Sequence, residues 1–384
     1  MKDSSKSIRI QTDQTEYREH SVPLFLTSSF MYHDAEHAAR MFRGEGEGNI
    51  YSRFTNPNTT ELINKVCALE QAEAGVATAS GMSAIYNTLV AHLVAGDEVV
   101  ASNSLFGNTT YILKHILPNW GISCRFVALT DQEGWRAAIT DKTKMVIIET
   151  PSNPGLEMID IAWLSSQCKS HNAIFAVDNC FATPILQKPM LLGADLSIHS
   201  ATKWMDGQGR VLGGLVVGNE RYVTPINDFL RRTGPCMSPF NAWVLSKSIE
   251  TLELRMEKHC NNALQLSQYL SDHGRVDSVI YPWLPSHPQH ELAKQQMTMG
   301  GGIVTCHLKG SQEECYEFIN KLKMLSLTAN LGDSRTIITH PATTTHSKLT
   351  AEDQLKAGIT PTTLRISVGL EHIDDIIADI AQAL

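Results

Sequence analysis

From residue 75 onward, apolar runs of five to eight residues alternate with stretches whose apolar positions recur every three or four residues. The runs lie at 75–80, 97–103, 123–129, 143–150, 173–179, 196–200 and 211–218. Continuous runs of this kind, separated by helical patterns, predict β-α units around a largely parallel sheet. Between the first two runs Ile85, Leu89 and Leu93 share one helical face, and Gly96 supplies the stop.

A different pattern begins near residue 236. Ser238 followed by Pro239 reads as an N-cap with proline in the first turn, and Ala242, Leu245, Ile249, Leu252 and Met256 then step three, four, three and four along one face. This spacing predicts a single long helix reaching Gly274. A Pro-rich connection (YPWLPSHPQH) follows, then a strand pattern at 302–308, a helical stretch at 311–323, a strand at 364–368 and a closing amphipathic helix through Ile373, Ile377 and Ile380. The fold class predicted is α/β: a mostly parallel seven-stranded sheet with helices on both faces in a large domain, 56–240, and a smaller α+β domain, 241–384. Residues 1–55, Gly-rich at GEGEG, read as an extended arm.

Composition narrows the function classes. The chain has 384 residues, is 42% apolar and 19% charged, and carries a formal charge of −8. Those values exclude a disordered scaffold, and an acidic chain without a Lys/Arg run lacks the footprint of a nucleic-acid binder. No 18 apolar residues follow one another and the N-terminus has no signal-peptide core, so a soluble, cytoplasmic protein is expected, with no membrane partner. Eight cysteines without a C-x-x-C pair read as reduced, buried thiols rather than a zinc site or a disulfide framework.

Ligands of open α/β sheets bind outside the carboxyl ends of the strands, and three candidates stand there. Asp178 ends the run IFAV, Lys203 follows LSIHS, and Ser80, Gly81 and Met82 join the first strand to the first helix. Asp178 alone reads as a satisfied structural carboxylate, and Lys203 alone as a surface amine. Together, 25 residues apart on consecutive predicted strands, they match what pyridoxal phosphate requires: an amine to form a Schiff base and an anion to hold the pyridine nitrogen protonated. The SGMSAI turn offers backbone N–H groups and a helix N-terminus to the phosphate, and the hydroxyls of Ser200 and Thr202 flank the lysine. Other signals are weaker. DGQGR lacks the full dinucleotide glycine pattern; His287 and His290 lie in the Pro-rich connection rather than on a helix face, so no metal site is assigned; and neither G-x-S-x-G nor Walker A occurs, which leaves hydrolase and nucleotide-phosphatase chemistry without a foothold.

Motifs spread over nearly the whole chain carry a resemblance. They are YSRFTNPN (51–58), SGMSAI, ETPSNP (149–154), VDNCFATP (177–184), SATKW, HPATTTH (340–346) and LRISVGLE (364–371). In that order they resemble the Cys/Met metabolism enzymes that use pyridoxal 5'-phosphate on the fold-type I scaffold. The resemblance makes Lys203 the Schiff-base lysine and Asp178 the partner of the pyridine nitrogen. It assigns Ser80, Gly81, Met82, Ser200 and Thr202 to the phosphate, and makes Tyr51 and Arg53 the pair that reaches the phosphate of a neighbouring subunit. It also implies that Asn153 lies near the cofactor's 3-oxygen and the substrate carboxylate, and that Arg365 takes that carboxylate bidentately. A homo-oligomer, a tetramer built from dimers with shared active sites, is expected on the same basis.

Departures from the family pattern point within it. Phe106-Gly107 replaces the usual Tyr-Gly pair, so ring stacking is kept and the phenol is lost. Asn108 and Thr109 stand where methionine γ-lyases carry a Cys, and the stretch from Asn330 to Thr336 (NLGDSRT) puts Arg335 where many relatives have a carboxylate. With DGQGRVLGG and TGPCMSPFNAW, these look most like the O-succinylhomoserine sulfhydrylases. The expected activity is γ-replacement with sulfide to give homocysteine and succinate, in methionine biosynthesis, with Lys203 carrying the protons. Asn330 and Arg335 are expected at the substrate, and Arg335 is a candidate for reading a second carboxylate on the acyl group, against an ion pair with Asp333. Cystathionine γ-synthase and cystathionine β-lyase are the alternatives within the family. A non-catalytic protein of the same fold is the alternative outside it, and a visible band lost on borohydride reduction separates that from an enzyme.

Overall fold

The computed structural model describes residues 1–384, apart from the side chains of residues 353 and 356. Each of the seven apolar runs coincides with a strand, the first of them starting one residue early: β1 (Ala74–Thr78), β2 (Glu98–Ser102), β3 (Ser123–Val127), β4 (Thr143–Glu149), β5 (Ile174–Asp178), β6 (Leu196–Ser200) and β7 (Gly214–Gly218). They form one sheet in the order β1-β7-β6-β5-β4-β2-β3. Strands β2 to β6 pair in parallel, and β7 runs antiparallel between β1 and β6.

The continuous apolar runs follow from burial on both faces. Successive strand side chains point to opposite sides, so Val99, Met145, Ile147, Ile174 and Ala176 pack into one core while Val100, Val146, Ile148, Phe175 and Val177 pack into another. The helices Gly81–His92 and Glu220–Thr233 cover the first face, and Gln132–Ala138 and Ile161–Ser170 cover the second. In-register pairing of Glu149 with Asp178, and of Asp178 with Ile198, brings the carboxyl ends of β4, β5 and β6 level.

The long helix expected from 238 to 274 is two helices, Pro239–Ile249 and Leu252–Ser271. Tertiary contacts impose the break at Glu250 and Thr251. The Arg255 guanidinium donates to the carbonyls of Ser248 (2.9 Å) and Trp204 (2.5 Å), and the Glu250 carboxylate is held by Lys65 (3.3 Å) and Lys247 (2.9 Å). The apolar step continues through the break because Leu245, Ile249, Leu252 and Met256 all enter the same core.

The C-terminal part builds a second sheet from β8 (Val276–Ile280), β9 (Ile303–Leu308), β10 (Ser326–Leu327), β11 (Ile337–Thr339) and β12 (Thr363–Ser367), in the order β10-β11-β12-β9-β8. The periodicity shows β9 and β12. Strands β10 and β11, of two and three residues, are too short to carry a period. A capping box of Ser311 and Glu314 starts the helix Gln312–Lys321.

Residues 1–55 form short helices, Asp3–Arg9 and Ala35–Arg43, joined by irregular chain. The arm is tied down by Asp3 to Lys188 (2.6 Å) and by the Trp243 indole N–H to the Val22 carbonyl (2.9 Å). It leaves Met31 97% and Tyr17 83% exposed. Among the described residues no helix is long and apolar enough to cross a membrane.

Candidate active site

A cavity of about 900 Å³ opens at the carboxyl ends of β4, β5 and β6, with Arg365 of β12 on its far wall. Ser80, Gly81, Met82, Phe106, Asn153, Asp178, Ser200, Thr202, Lys203 and Arg365 all border it. Residues 285 positions apart in the chain, Ser80 and Arg365, thus meet at one surface.

The phosphate-type turn is built by close approach. Ser80 caps the helix Gly81–His92 by accepting the Ser83 N–H (3.2 Å), and the Thr78 hydroxyl donates to the Ser80 carbonyl (2.9 Å). A Cβ at Gly81 would lie 2.6 Å from Ser200 Cβ, so only glycine lets the helix start against the end of β6. The first turn of that helix, Ser200 and Thr202 all border the cavity, where N–H groups of a helix start can meet an anion; the Thr202 hydroxyl donates to the Gly213 carbonyl (3.3 Å) and accepts the Gly213 N–H (3.1 Å).

On the floor, Asp178 accepts the Cys180 N–H (3.1 Å). Burial pushes its carboxyl up to about 6, against the pull of the Cys180 N–H and of His199. Glu149 lies beside it and is pushed well above the usual carboxylate range by burial and by the Asp178 charge. Its Oε2 accepts the Phe106 N–H (2.7 Å) and so fixes the aromatic side chain on the cavity wall. The Lys203 amine donates to Asn330 Oδ1 (2.5 Å), and burial lowers its pKa, with Arg365 adding to the effect. No carboxylate bonds that amine among the described residues. Arg365 is 2% exposed and donates from Nη1 to Asn153 Oδ1 (3.0 Å) and from Nη2 to the Asn330 carbonyl (3.1 Å).

Behind the floor lies a buried polar cluster. Glu70 Oε1 takes His199 Nε2 (2.7 Å), the Ser197 hydroxyl (2.8 Å) and the Asn179 amide (3.1 Å). Asn179 follows Asp178 and His199 precedes Ser200 in the chain, so this one carboxylate steadies both strand ends that serve the cavity.

Arg335, Tyr51 and Arg53 do not border this chain's cavity, and of these only Arg335 is expected at it from the sequence, Tyr51 and Arg53 being assigned to the phosphate of a neighbouring subunit. Arg335 is paired with Asp333 through Nε (2.9 Å) and Nη2 (3.0 Å), the ion pair that competed with its substrate role, and Asp333 Oδ1 also accepts the Arg335 N–H (3.0 Å), so the pair is closed within one tight turn. The Arg53 guanidinium packs over the Tyr51 and Phe54 rings and donates to the Arg231 carbonyl. Asn330 reaches the site through Lys203. Glu149, Cys180, Lys114, His115 and the segment 344–350 border the cavity without having been singled out. For Glu149 a signal existed, since it ends a buried strand as Asp178 does. Cys180 and residues 344–346 lie within motifs that carry the resemblance, and Lys114, His115 and residues 347–350 carry no signal that one sequence reveals.

The cavity's residues fit pyridoxal phosphate. The buried Arg365 Nε has no hydrogen-bond partner, Asp178 is a half-buried carboxyl facing the cavity whose raised pKa a cation would draw back down, and the lysine amine is free of acids. Comparison with known proteins agrees. The family described as Cys/Met metabolism PLP-dependent enzyme matches residues 4–384. An O-succinylhomoserine sulfhydrylase of Pseudomonas aeruginosa is 45% identical over 378 residues, 98% of this chain and 94% of its own. An L-methionine gamma-lyase of Fusobacterium nucleatum subsp. polymorphum is 42% identical over 367 residues, 95% and 93% of the two chains. A Campylobacter jejuni structure containing N'-pyridoxyl-lysine-5'-monophosphate superposes with a TM-score of 0.95 at 32% identity, covering 100% of this chain and 99% of that one.

Proposed function

The chain belongs to the Cys/Met metabolism PLP-dependent enzyme family, and from that premise we propose that it converts O-succinylhomoserine and sulfide into homocysteine and succinate. Its fold is fold type I, its cofactor is pyridoxal 5'-phosphate, and it is an enzyme of the sulfhydrylase and C–S lyase group. The observation that carries the proposal is the Lys203 amine: partly buried, lowered in pKa, bonded to a neutral amide and aimed into the cavity. An amine so placed is positioned to attack a carbonyl carbon and to exchange protons with a carbon held in the cavity.

When bound, the cofactor supplies an aldehyde carbon and an electron-withdrawing ring. The chain's own residues do the rest. Arg365, steadied by Asn153, binds the substrate α-carboxylate. The first-turn N–H groups of Gly81 and Met82, with Ser200 and Thr202, hold the phosphate, and Asp178 keeps a positive charge on the ring nitrogen. Phe106 covers the ring without adding an acid or base. Lys203 removes a proton at Cα and another at Cβ, and succinate leaves from Cγ. Sulfide then adds at Cγ, and the protons return to carbon. Support for the acyl ester over the thioether comes from the 45% identical sulfhydrylase and from Asn108, which puts an amide rather than a thiol at the cavity.

The neighbouring reading is γ-elimination of methionine, favoured by the 42% identical lyase. Product analysis separates the two. O-succinylhomoserine with sulfide is expected to yield homocysteine, and methionine alone little 2-oxobutyrate; the reverse preference would overturn the proposal. Incubations with cysteine as acceptor and with cystathionine alone test the cystathionine activities. Lys203→Ala should abolish turnover, and substantial residual activity would remove Lys203 from its role.

The proposal includes a homo-oligomer, a tetramer built from dimers, acting in the cytoplasm and in methionine biosynthesis. Tyr51 and Arg53 stand outside this chain's cavity, and the arm leaves Met31, Leu26 and Phe42 exposed, which suits an arm, 1–55, that completes a neighbour's site. The large domain is then 56–240 and the smaller one 241–384.

A further inference from the structure

We propose that Lys348, with Lys114 and His115 beside the same opening, forms a subsite for the distal carboxylate of a dicarboxylic acyl group, and so selects succinyl over acetyl esters. The inference rests on the acyl-ester reading above and deepens it.

The argument is one of charge accounting. Both acids that border the cavity, Glu149 and Asp178, lie on its floor. The floor cations Lys203 and Arg365 stand beside them. The outer cations are different: Lys114 and Lys348 are exposed at the mouth, with the His115 ring beside Lys114, and among the described residues no Asp or Glu borders the cavity there. Lys348 pairs with no carboxylate among the described residues, whereas Lys114 is partly engaged over the Phe126 ring, 5.1 Å from its centroid. A substrate whose only anion is its α-carboxylate leaves this outer charge unmatched. A succinyl ester brings a second carboxylate to it.

Reach agrees with this assignment. The segment from Phe106 runs outward through Gly107–Tyr111 and the π-helical turn Ile112–Ile116, carrying Lys114 and His115 from the floor to the mouth. At ordinary helical rise, Phe106 to Lys114 spans roughly 12 Å. A fully extended succinyl ester of homoserine separates its two carboxylate carbons by roughly 10 Å at ordinary covalent geometry. With its α-carboxylate on Arg365, a molecule of that length is long enough to extend across a cavity of about 900 Å³ towards its exposed rim. Lys348 meets it from the opposite wall, in the segment 344–350. Arg335, engaged by Asp333, is replaced in this role.

The test uses the holoenzyme and Lys348→Ala, Lys348→Glu and Lys114→Ala. With sulfide as acceptor, Lys348→Ala should raise the ratio of KM for the succinyl ester to KM for the acetyl ester about fivefold, the size of one exposed ion pair. Lys348→Glu should raise it further, and the wild-type preference should shrink as salt is added. An unchanged ratio in both Lys348 variants would overturn the subsite. If neither ester gives homocysteine, the function proposal has failed, and calorimetric titration with succinate and with acetate decides the subsite by itself. Succinate binding that is tighter than acetate binding and weakened by Lys348→Glu supports it; equal binding in wild type and variant overturns it.

Discussion

Replacing Glu70 by Ala removes the carboxylate on which the rear of the cavity floor is organised. The side chain is 0% exposed and accepts from three groups: His199 Nε2 at 2.7 Å, the Ser197 hydroxyl at 2.8 Å and the Asn179 amide at 3.1 Å. Each donor stranded in a dry interior costs about 1–3 kcal/mol. Two of them recover part of that. Ser197 stands 3.2 Å from His199 Nε2, and Asn179 keeps its bond to the Gln187 carbonyl (2.9 Å). The net loss for Ala, including the space left by the side chain, is then about 3–5 kcal/mol, in the range for removing one partner of a buried polar pair. Glu70→Gln keeps an acceptor oxygen in place and should cost about 1–2 kcal/mol. Urea unfolding of the holoenzyme at fixed protein and cofactor concentration reads both values from midpoint and slope. Because Asn179 and His199 adjoin Asp178 and Ser200, cofactor dissociation should quicken in the same order, Ala before Gln before wild type. Equal stabilities for the Ala and Gln variants, or a loss below about 1 kcal/mol with unchanged cofactor retention, would refute the reasoning.

Acid should destabilise the protein in a defined window. Burial holds His259 and His346 at about 4 against an ordinary 6.5, so the unfolded chain binds more protons between those values, and stability falls as pH drops from 6.5 towards 4. Each contributes roughly 3 kcal/mol over that window, and His259→Gln should flatten the slope of unfolding free energy against pH; an unchanged slope would contradict it. Arg335→Ala should change KM for succinyl and acetyl esters alike, since its guanidinium is committed to Asp333; a selective loss with the succinyl ester would restore it as the acyl reader. At Gly214 a Cβ would stand 2.1 Å from the Ser80 carbonyl oxygen, so Gly214→Ala must push back the turn that starts the phosphate corner. Cofactor binding should weaken at least about tenfold, whereas Gly274→Ala, with nothing within 4 Å of the new Cβ, should bind normally; equal affinities would refute the contact.

Much of the cavity floor is legible in the amino-acid order because local burial has a period. Strands covered on both faces need uninterrupted apolar runs, and a charge at the end of such a run stands out, as Asp178 does after IFAV. Lys203 and Ser80 stand out for the same reason, since parallel strands deliver their carboxyl ends to one side. Tertiary structure alone decided what depends on distance between remote segments. Strand register set Glu149 beside Asp178, packing of Arg255 and Lys65 split a helix whose apolar step never falters, and a tight turn gave Arg335 to Asp333. It also decided that Lys114 and Lys348 face one opening from opposite parts of the chain. Apolar periodicity records whether a side chain is buried, and only the folded backbone fixes which buried or exposed groups come within reach of each other.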